Sequence, residues 1–233
     1  MRETFKNTLK NWSFLKINRL ELLLFFALIL QAISFFIEGN QYGTSVGSLL
    51  LVYGKVDPSS IDLIEQFFLY SQILLLPIVI FFRVRALLVF HFVWPFLLAI
   101  STTLDQGSFG YQWTIISHAG RILLPIGLFY SSYFKTKSND RIITKIFLVA
   151  IAGTFIGHGL SCLFGNPLFD DYLIDFCDSF LGVVLSDQQS KTILFLIGSL
   201  DILAAVLIFK KGKGMALSYM FFWGALTAIY RII

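Results

Sequence analysis

Five ionisable side chains stand inside otherwise apolar stretches of this chain: His91, His118, Arg121, His158 and Asp201. Glu38 and Arg231 lie close to the ends of two more such stretches. A charged group at the centre of a bilayer costs roughly 2.5 kcal/mol or more, so residues of this kind face one another or a cavity. Each is therefore a candidate for proton transfer, ion pairing or ligand binding. His118 and Arg121 are three residues apart and share one helix face. His158 sits in Gly153-Thr154-Phe155-Ile156-Gly157-His158-Gly159. Gly153 and Gly157 there form a small-xxx-small face that lets another helix come close, so His158 should point into a bundle. Thr154, His158 and Ser161 share an adjacent stripe. Arg121 and Asp201 are a natural charge pair, since each alone would be strongly destabilising in hydrocarbon. Such a pair either pins two helices together or leaves Arg121 to bind a ligand. These types assign proton exchange to His158 and His118. They assign binding of an anionic or carbonyl group to Arg121, with Asp201 holding Arg121 or His158 in place and Arg231 a further substrate-binding residue. The structural alternative for any of the histidines is a neutral ring hydrogen-bonded between helices.

His118 and His158 fall at similar depth on neighbouring helices, as bis-imidazole ligation of haem b requires, but no attachment motif accompanies them. A zinc site needs a third or fourth ligand at that depth, and His91 lies nearer the other side. No Ser-His-Asp order, phosphate loop or carboxylate dyad is present. The two cysteines, Cys162 and Cys177, are either a disulfide at the outer face or two buried thiols, and they form no CxxC.

The elements that must position these groups are membrane helices. The 233 residues are 57% hydrophobic and 14% charged, with 26 Phe, against about 25% charged residues in ordinary globular domains. Seven apolar runs are long enough to span or nearly span hydrocarbon: 20–37, 67–82, 86–104, 113–134, 142–164, 192–209 and 214–230. Residues 1–19 form a basic interfacial lead-in with Arg2, Lys6, Lys10, Lys16 and Arg19, and no cleavage site follows the first run. The Arg83/Arg85, Lys135/Lys137/Arg141 and Lys210/Lys211/Lys213 turns are also basic, whereas segments 38–66, 105–112 and 165–190 are acidic or neutral. This alternation predicts a cytoplasmic N-terminus and an outer C-terminus. The net charge of +4 is then a topology signal and not a nucleic-acid footprint. The expected location is a cell membrane, crossed several times, with the bacterial inner membrane the leading choice. In the outer segment 165–190, Leu168, Tyr172, Phe176 and Phe180 recur at helical spacing against Asp171, Asp175 and Asp178. An amphipathic helix follows, lying on the outer surface or capping the bundle.

The chain also resembles itself. Gln72–Ile100 aligns with Asp201–Ile229 at a spacing of 129, matching Ile73-Leu74 with Ile202-Leu203, Phe92 with Phe221 and Trp94 with Trp223. A second block aligns at 126, matching Leu22 with Leu148 and Gly39-Asn40 with Gly165-Asn166. The expected fold is all-α: a first repeat over 20–104, a linker helix over 113–134 and a second repeat over 142–233. An odd unit of three helices plus one linking span returns the second copy in the same orientation, so the repeats are parallel and a site is expected between them. His158 falls on Ala32, Asp201 on Gln72 and Arg231 on Thr102, so the polar groups belong to the second copy alone.

That second half resembles the DoxX family of small membrane proteins. The likeness is carried by Lys145 to Phe164 with Gly157-His158-Gly159-Leu160, by Ile197-Gly198-Ser199-Leu200-Asp201-Ile202, and by Trp223-Gly224-Ala225-Leu226-Thr227-Ala228. It covers about 90 residues. DoxX-like proteins are helical bundles of four spans, some associated with quinone-linked oxidation of sulfur compounds. His158 and Asp201 match that pattern; His118 and Arg121 lie outside it. The three-one-three plan is also similar to that of sugar-transporting SWEET proteins, whose Pro-Gln motif is absent here. Together these features lead to one expectation: His118, Arg121, His158 and Asp201 line a single polar pocket in the outer half of the membrane. The pocket suits a quinone headgroup with an apolar tail. Competing expectations are a transporter for a small solute or lipid, and a structural or assembly partner for another membrane protein.

Overall fold

Helix starts in this chain are set by polar caps at the ends of the apolar runs. Asp57 has an extended backbone, and its carboxylate accepts from the Ser60 amide at 2.9 Å, with Pro58 as the first helical residue. The Ser59 and Ser60 hydroxyls also donate to Asp57 at 2.6 and 2.8 Å. These donors, the Ser59 hydroxyl first, hold its carboxyl down at about 2. The cap starts this helix nine residues ahead of the apolar run at 67–82. Ser186 does the same 129 residues later, donating its amide to Gln189 Oε1 at 2.9 Å.

The computed structural model describes residues 19–106, 109–133, 137–210 and 213–230. The lead-in before residue 19 and Arg231, an expected binding residue, lie outside the described residues. The helices in order are α1 (Arg19–Tyr42), α2 (Ser45–Val52), α3 (Pro58–Phe81), α4 (Leu88–Gln106), α5 (Thr114–Ser117), α6 (Ala119–Tyr133), α7 (Lys137–Leu163), α8 (Pro167–Leu181), α9 (Asp187–Leu207) and α10 (Lys213–Tyr230). Among the described residues five helical stretches are long and apolar enough to cross a membrane: Leu20–Gln41, Pro58–Phe81, Arg85–Asp105, Arg141–Leu163 and Asp187–Leu207. The expected spans at 113–134 and 214–230 are helical but shorter; α6 and α10 have 15 and 18 residues, about 22 and 27 Å. Outward-facing Leu23, Leu74, Phe67 and Phe221 give the bundle an apolar exterior, as lipid contact requires.

α1 packs on α3 and α6, α4 packs on α6 and α2, and α7 packs on α6 and most extensively on α9. In turn α9 carries α8 and α10. The linker helix α6 therefore touches both halves. Two faces of α7 make this possible. On one, Gly157 lies against the backbone of Ser117, and a Cβ on Gly153 would come 2.8 Å from the Ala119 Cβ. On the other, Gly159 meets Gly198 of α9 so closely that a Cβ on either would approach the other's carbonyl oxygen to 2.6–2.7 Å. The small-residue seam at Gly153 and Gly157 is thus present, and Gly159 adds a second one.

The expected span at 113–134 is interrupted at His118, which leaves helical geometry between α5 and α6 (φ −86°, ψ 5°). Its Nδ1 lies 3.0 Å from the Thr114 carbonyl, so the ring competes for the oxygen that also accepts the His118 amide at 2.9 Å. At the opposite end of the bundle, Arg85 and Glu21 form a buried ion pair at 3.0 Å. The Arg85 guanidinium also donates to the Val79 carbonyl and lies 4.9 Å from the centre of the Phe25 ring. One of the charges counted towards orientation is therefore neutralised inside the fold. Glu21→Ala leaves this guanidinium buried without its carboxylate. It should destabilise the protein by about 3–5 kcal/mol, read as a lowered denaturation midpoint in detergent.

Candidate functional site

The expected polar residues line two cavities that share one wall. The narrower, about 390 Å³, is enclosed by α7, α8, α9 and α10. Aromatic and aliphatic side chains dominate it, among them Phe155, Phe169, Tyr172, Phe176, Ile197 and Trp223. Its polar members are Thr154, His158, Asp201 and Thr227. The wider, about 1040 Å³, lies between α1, α4, α5 and α6 on one side and α7 and α8 on the other. It contains Gln31, Glu38, His118, Arg121, Ser161, Asn166 and Asp175. Thr154, His158, Phe169 and Tyr172 belong to both linings.

The single pocket expected from the sequence is thus divided, and its central pair is rearranged. Arg121 does not reach across to Asp201. Its Nη2 lies 3.8 Å from Glu38 Oε1, and its guanidinium sits 5.0 Å from the centre of the Phe35 ring. Asp201 is 2% exposed and accepts a hydrogen bond from the Tyr219 hydroxyl of α10 at 2.7 Å. The reason is rotational. Asp201 shares the face of α9 that packs on α10 and α7, whereas Arg121 projects from α6 towards α1. Glu38 is the acid that spacing along α6 to α10 does not suggest, because it lies on α1.

The stripe at Thr154, His158 and Ser161 joins α7 to the linker. Thr154 Oγ1 accepts from the Gly120 amide at 2.9 Å, and Ser161 donates to the Gly110 carbonyl at 3.0 Å. His158 stands edge-on to Phe169 of α8, ring centres 5.5 Å apart. The carbonyl partner of His118 Nδ1 can only accept, so Nδ1 carries a proton there, with the Ser117 hydroxyl 3.3 Å away. Cys162 and Cys177 are both free, buried thiols, and both line the narrow cavity. Of the alternatives open in the sequence, the structure has the thiols. Among the described residues, no three His, Cys, Asp or Glu side chains are grouped to hold a metal ion.

No family model, curated protein or solved structure matches the chain.

His91 stands apart from both linings. It is fully buried, with Nδ1 3.1 Å from Gln72 Oε1, while Gln72 donates its amide nitrogen to the Phe90 carbonyl at 3.0 Å. Gln72 thereby ties α3 to α4, as Asp201, 129 positions on, ties α9 to α10.

A second correspondence concerns space. In the first half Phe35, Leu69 and Trp94 form a packed cluster with Phe36, Phe68 and Leu98 against it. The residues 126 or 129 positions later are Ser161, Gly198, Trp223, Cys162, Ile197 and Thr227. Four of them, Trp223, Cys162, Ile197 and Thr227, line the narrow cavity. Where the first half is filled by large side chains, the second is hollow. Sequence comparison between the halves carries this signal, although inspection of polar residues alone does not find it.

The two partnerships differ in burial and should differ in energy. Tyr219→Phe removes the donor of a buried carboxylate and should cost about 1–3 kcal/mol. Arg121→Gln, whose partner Glu38 is 48% exposed, should cost about 0–1 kcal/mol. Thermal denaturation of both variants in the same detergent measures the difference.

Proposed function

We propose that this membrane protein binds a lipid-soluble molecule with a flat, oxygen-bearing ring, of the quinone class, in the narrow cavity of its second half. The observation that carries this reading is the replacement of a filled aromatic core by a cavity at corresponding positions. A cavity left in a packed core costs stability, and one lined by aromatic faces with two convergent polar groups has the form of a ligand site. At about 390 Å³ it falls in the range of small-molecule sites. Phe155, Phe169, Tyr172 and Trp223 would cover the ring faces. His158 and Asp201 would meet the ring oxygens as hydrogen-bond and proton-exchange partners, with Tyr219 fixing Asp201. Turnover would further require an electron-donating partner.

We also propose seven spans in two parallel repeats joined by α6, in the bacterial inner membrane, with the N-terminus cytoplasmic. Three features support the repeats: the caps at Asp57 and Ser186, the braces at Gln72 and Asp201, and the order of long helix, short helix, long helix in each half. The DoxX-like pattern of the second half contributes His158 and Asp201 to the same reading. A route through the bundle is less well supported, because neither cavity lining includes His91 or Gln72.

The functional test refills the cavity with first-half residues. Native mass spectrometry and absorbance of the full-length protein, incubated with a long-chain quinone in mild detergent, should detect retained quinone. The double variant Cys162→Phe, Thr227→Leu should lower that retention at least about tenfold without lowering the thermal midpoint. Equal retention by the double variant would refute the assignment. The topology is tested separately. A reporter active only outside the cytoplasm should be silent when fused after Lys137 and active when fused after Asp187.

A further inference from the structure

The wide cavity has a chemistry different from its neighbour's. Three of its lining residues carry formal charge, one guanidinium and two carboxylates: Arg121, Glu38 and Asp175. Arg121 and Glu38 are held side by side at 3.8 Å, with Ser34 donating to the same Glu38 oxygen at 3.0 Å. A simple anion would meet Arg121 and also two carboxylates, so net charge tells against it. A group carrying both signs is matched: an oxyanion on the guanidinium, a cation between Glu38 and Asp175.

Polarity also changes along the cavity. The charged residues lie at the end of the bundle that holds α2 and α8. Deeper in, the walls are Leu124, Phe147, Ala150 and Ile151. From Phe147 to Ser161 the lining follows α7 for about 21 Å, a length that suits a chain more than a compact solute. Leu168 and Phe180, 42% and 52% exposed, add apolar surface to the same lining.

We propose that the wide cavity binds a zwitterionic phospholipid with a primary ammonium headgroup. The phosphodiester lies on Arg121, the ammonium donates to Glu38 and Asp175, and an acyl chain runs along α7. A primary ammonium has three donors for these carboxylates; a quaternary one has none. This assignment does not rest on the quinone assigned to the narrow cavity, although the two linings share Thr154, His158, Phe169 and Tyr172.

Native mass spectrometry of the full-length protein in mild detergent tests it. The probes are phosphatidylethanolamine, phosphatidylglycerol, phosphatidylcholine and water-soluble phosphoethanolamine, each titrated against the same preparation. Phosphatidylethanolamine should be retained about tenfold better than the other two lipids. Arg121→Gln should weaken retention of all three lipids. The double variant Glu38→Gln, Asp175→Asn should keep phosphatidylglycerol, proving the cavity intact, and lose the preference for phosphatidylethanolamine. Equal retention of the three lipids by the unaltered protein would overturn the proposal, as would a preference that survives the double variant. Displacement of lipid by phosphoethanolamine at equal concentration would overturn it in favour of a free zwitterion. A bound quinone has its own mass in the same spectra, so the two assignments fail separately.

Discussion

The whole arrangement depends on how closely α7 can approach its neighbours. In hydrocarbon there is no water to drive helices together, so association rests on packing and on hydrogen bonds between helices. Gly153 and Gly157 bring α7 against the linker, and Gly159 brings it against Gly198 of α9. These contacts lie on either side of His158, which is thereby fixed between two interfaces. With the helices so close, Thr154 can accept from Gly120 and Ser161 can reach Gly110. Both cavities lie beside this close contact, one on each side of Thr154 and His158. A side chain at any of the four glycines would separate helices and open the polar links that cross the seam.

The helices before and after α6 fill their interiors differently. In the first set, Phe35, Leu69 and Trp94 close the interior, with Phe68 stacked on Trp94 at 4.8 Å between ring centres. In the second, small residues stand at most of the equivalent positions, and the interior remains open. The buried Glu21–Arg85 pair and the Gln72–His91 brace belong to the packed half as well. They hold its helices in register at two levels, and neither lines a cavity.

Much of this was legible in the sequence. Helix positions followed from apolar runs, and the amphipathic helix expected within 165–190 is α8. The Gly153/Gly157 seam and the inward aim of His158 also followed, since glycine spacing has a direct packing consequence. Partner choice was less accessible. Arg121 and Asp201 have matching charges and similar depth, but depth along a helix does not specify rotation about it, and the rotation sends Arg121 to Glu38. Tyr219 was missed because a tyrosine in an apolar run reads as a boundary residue, with nothing local to mark its hydroxyl as the donor to Asp201. The break at His118 arises from one ring bonding one carbonyl, which no periodicity records. The cavities were the least visible feature, because a void is a missing volume and not a residue type. It becomes apparent only when equivalent positions are compared for size.

His158, Thr154, Phe169 and Tyr172 face both spaces, and a side chain can hold only one rotamer at a time. An occupant on one side that turns Tyr172 or His158 therefore changes the shape and hydrogen bonding offered on the other. Such an effect is reciprocal by thermodynamic necessity: whatever factor the first occupant applies to the second, the second applies to the first. Through that shared wall, whatever fills one cavity would be felt in the other.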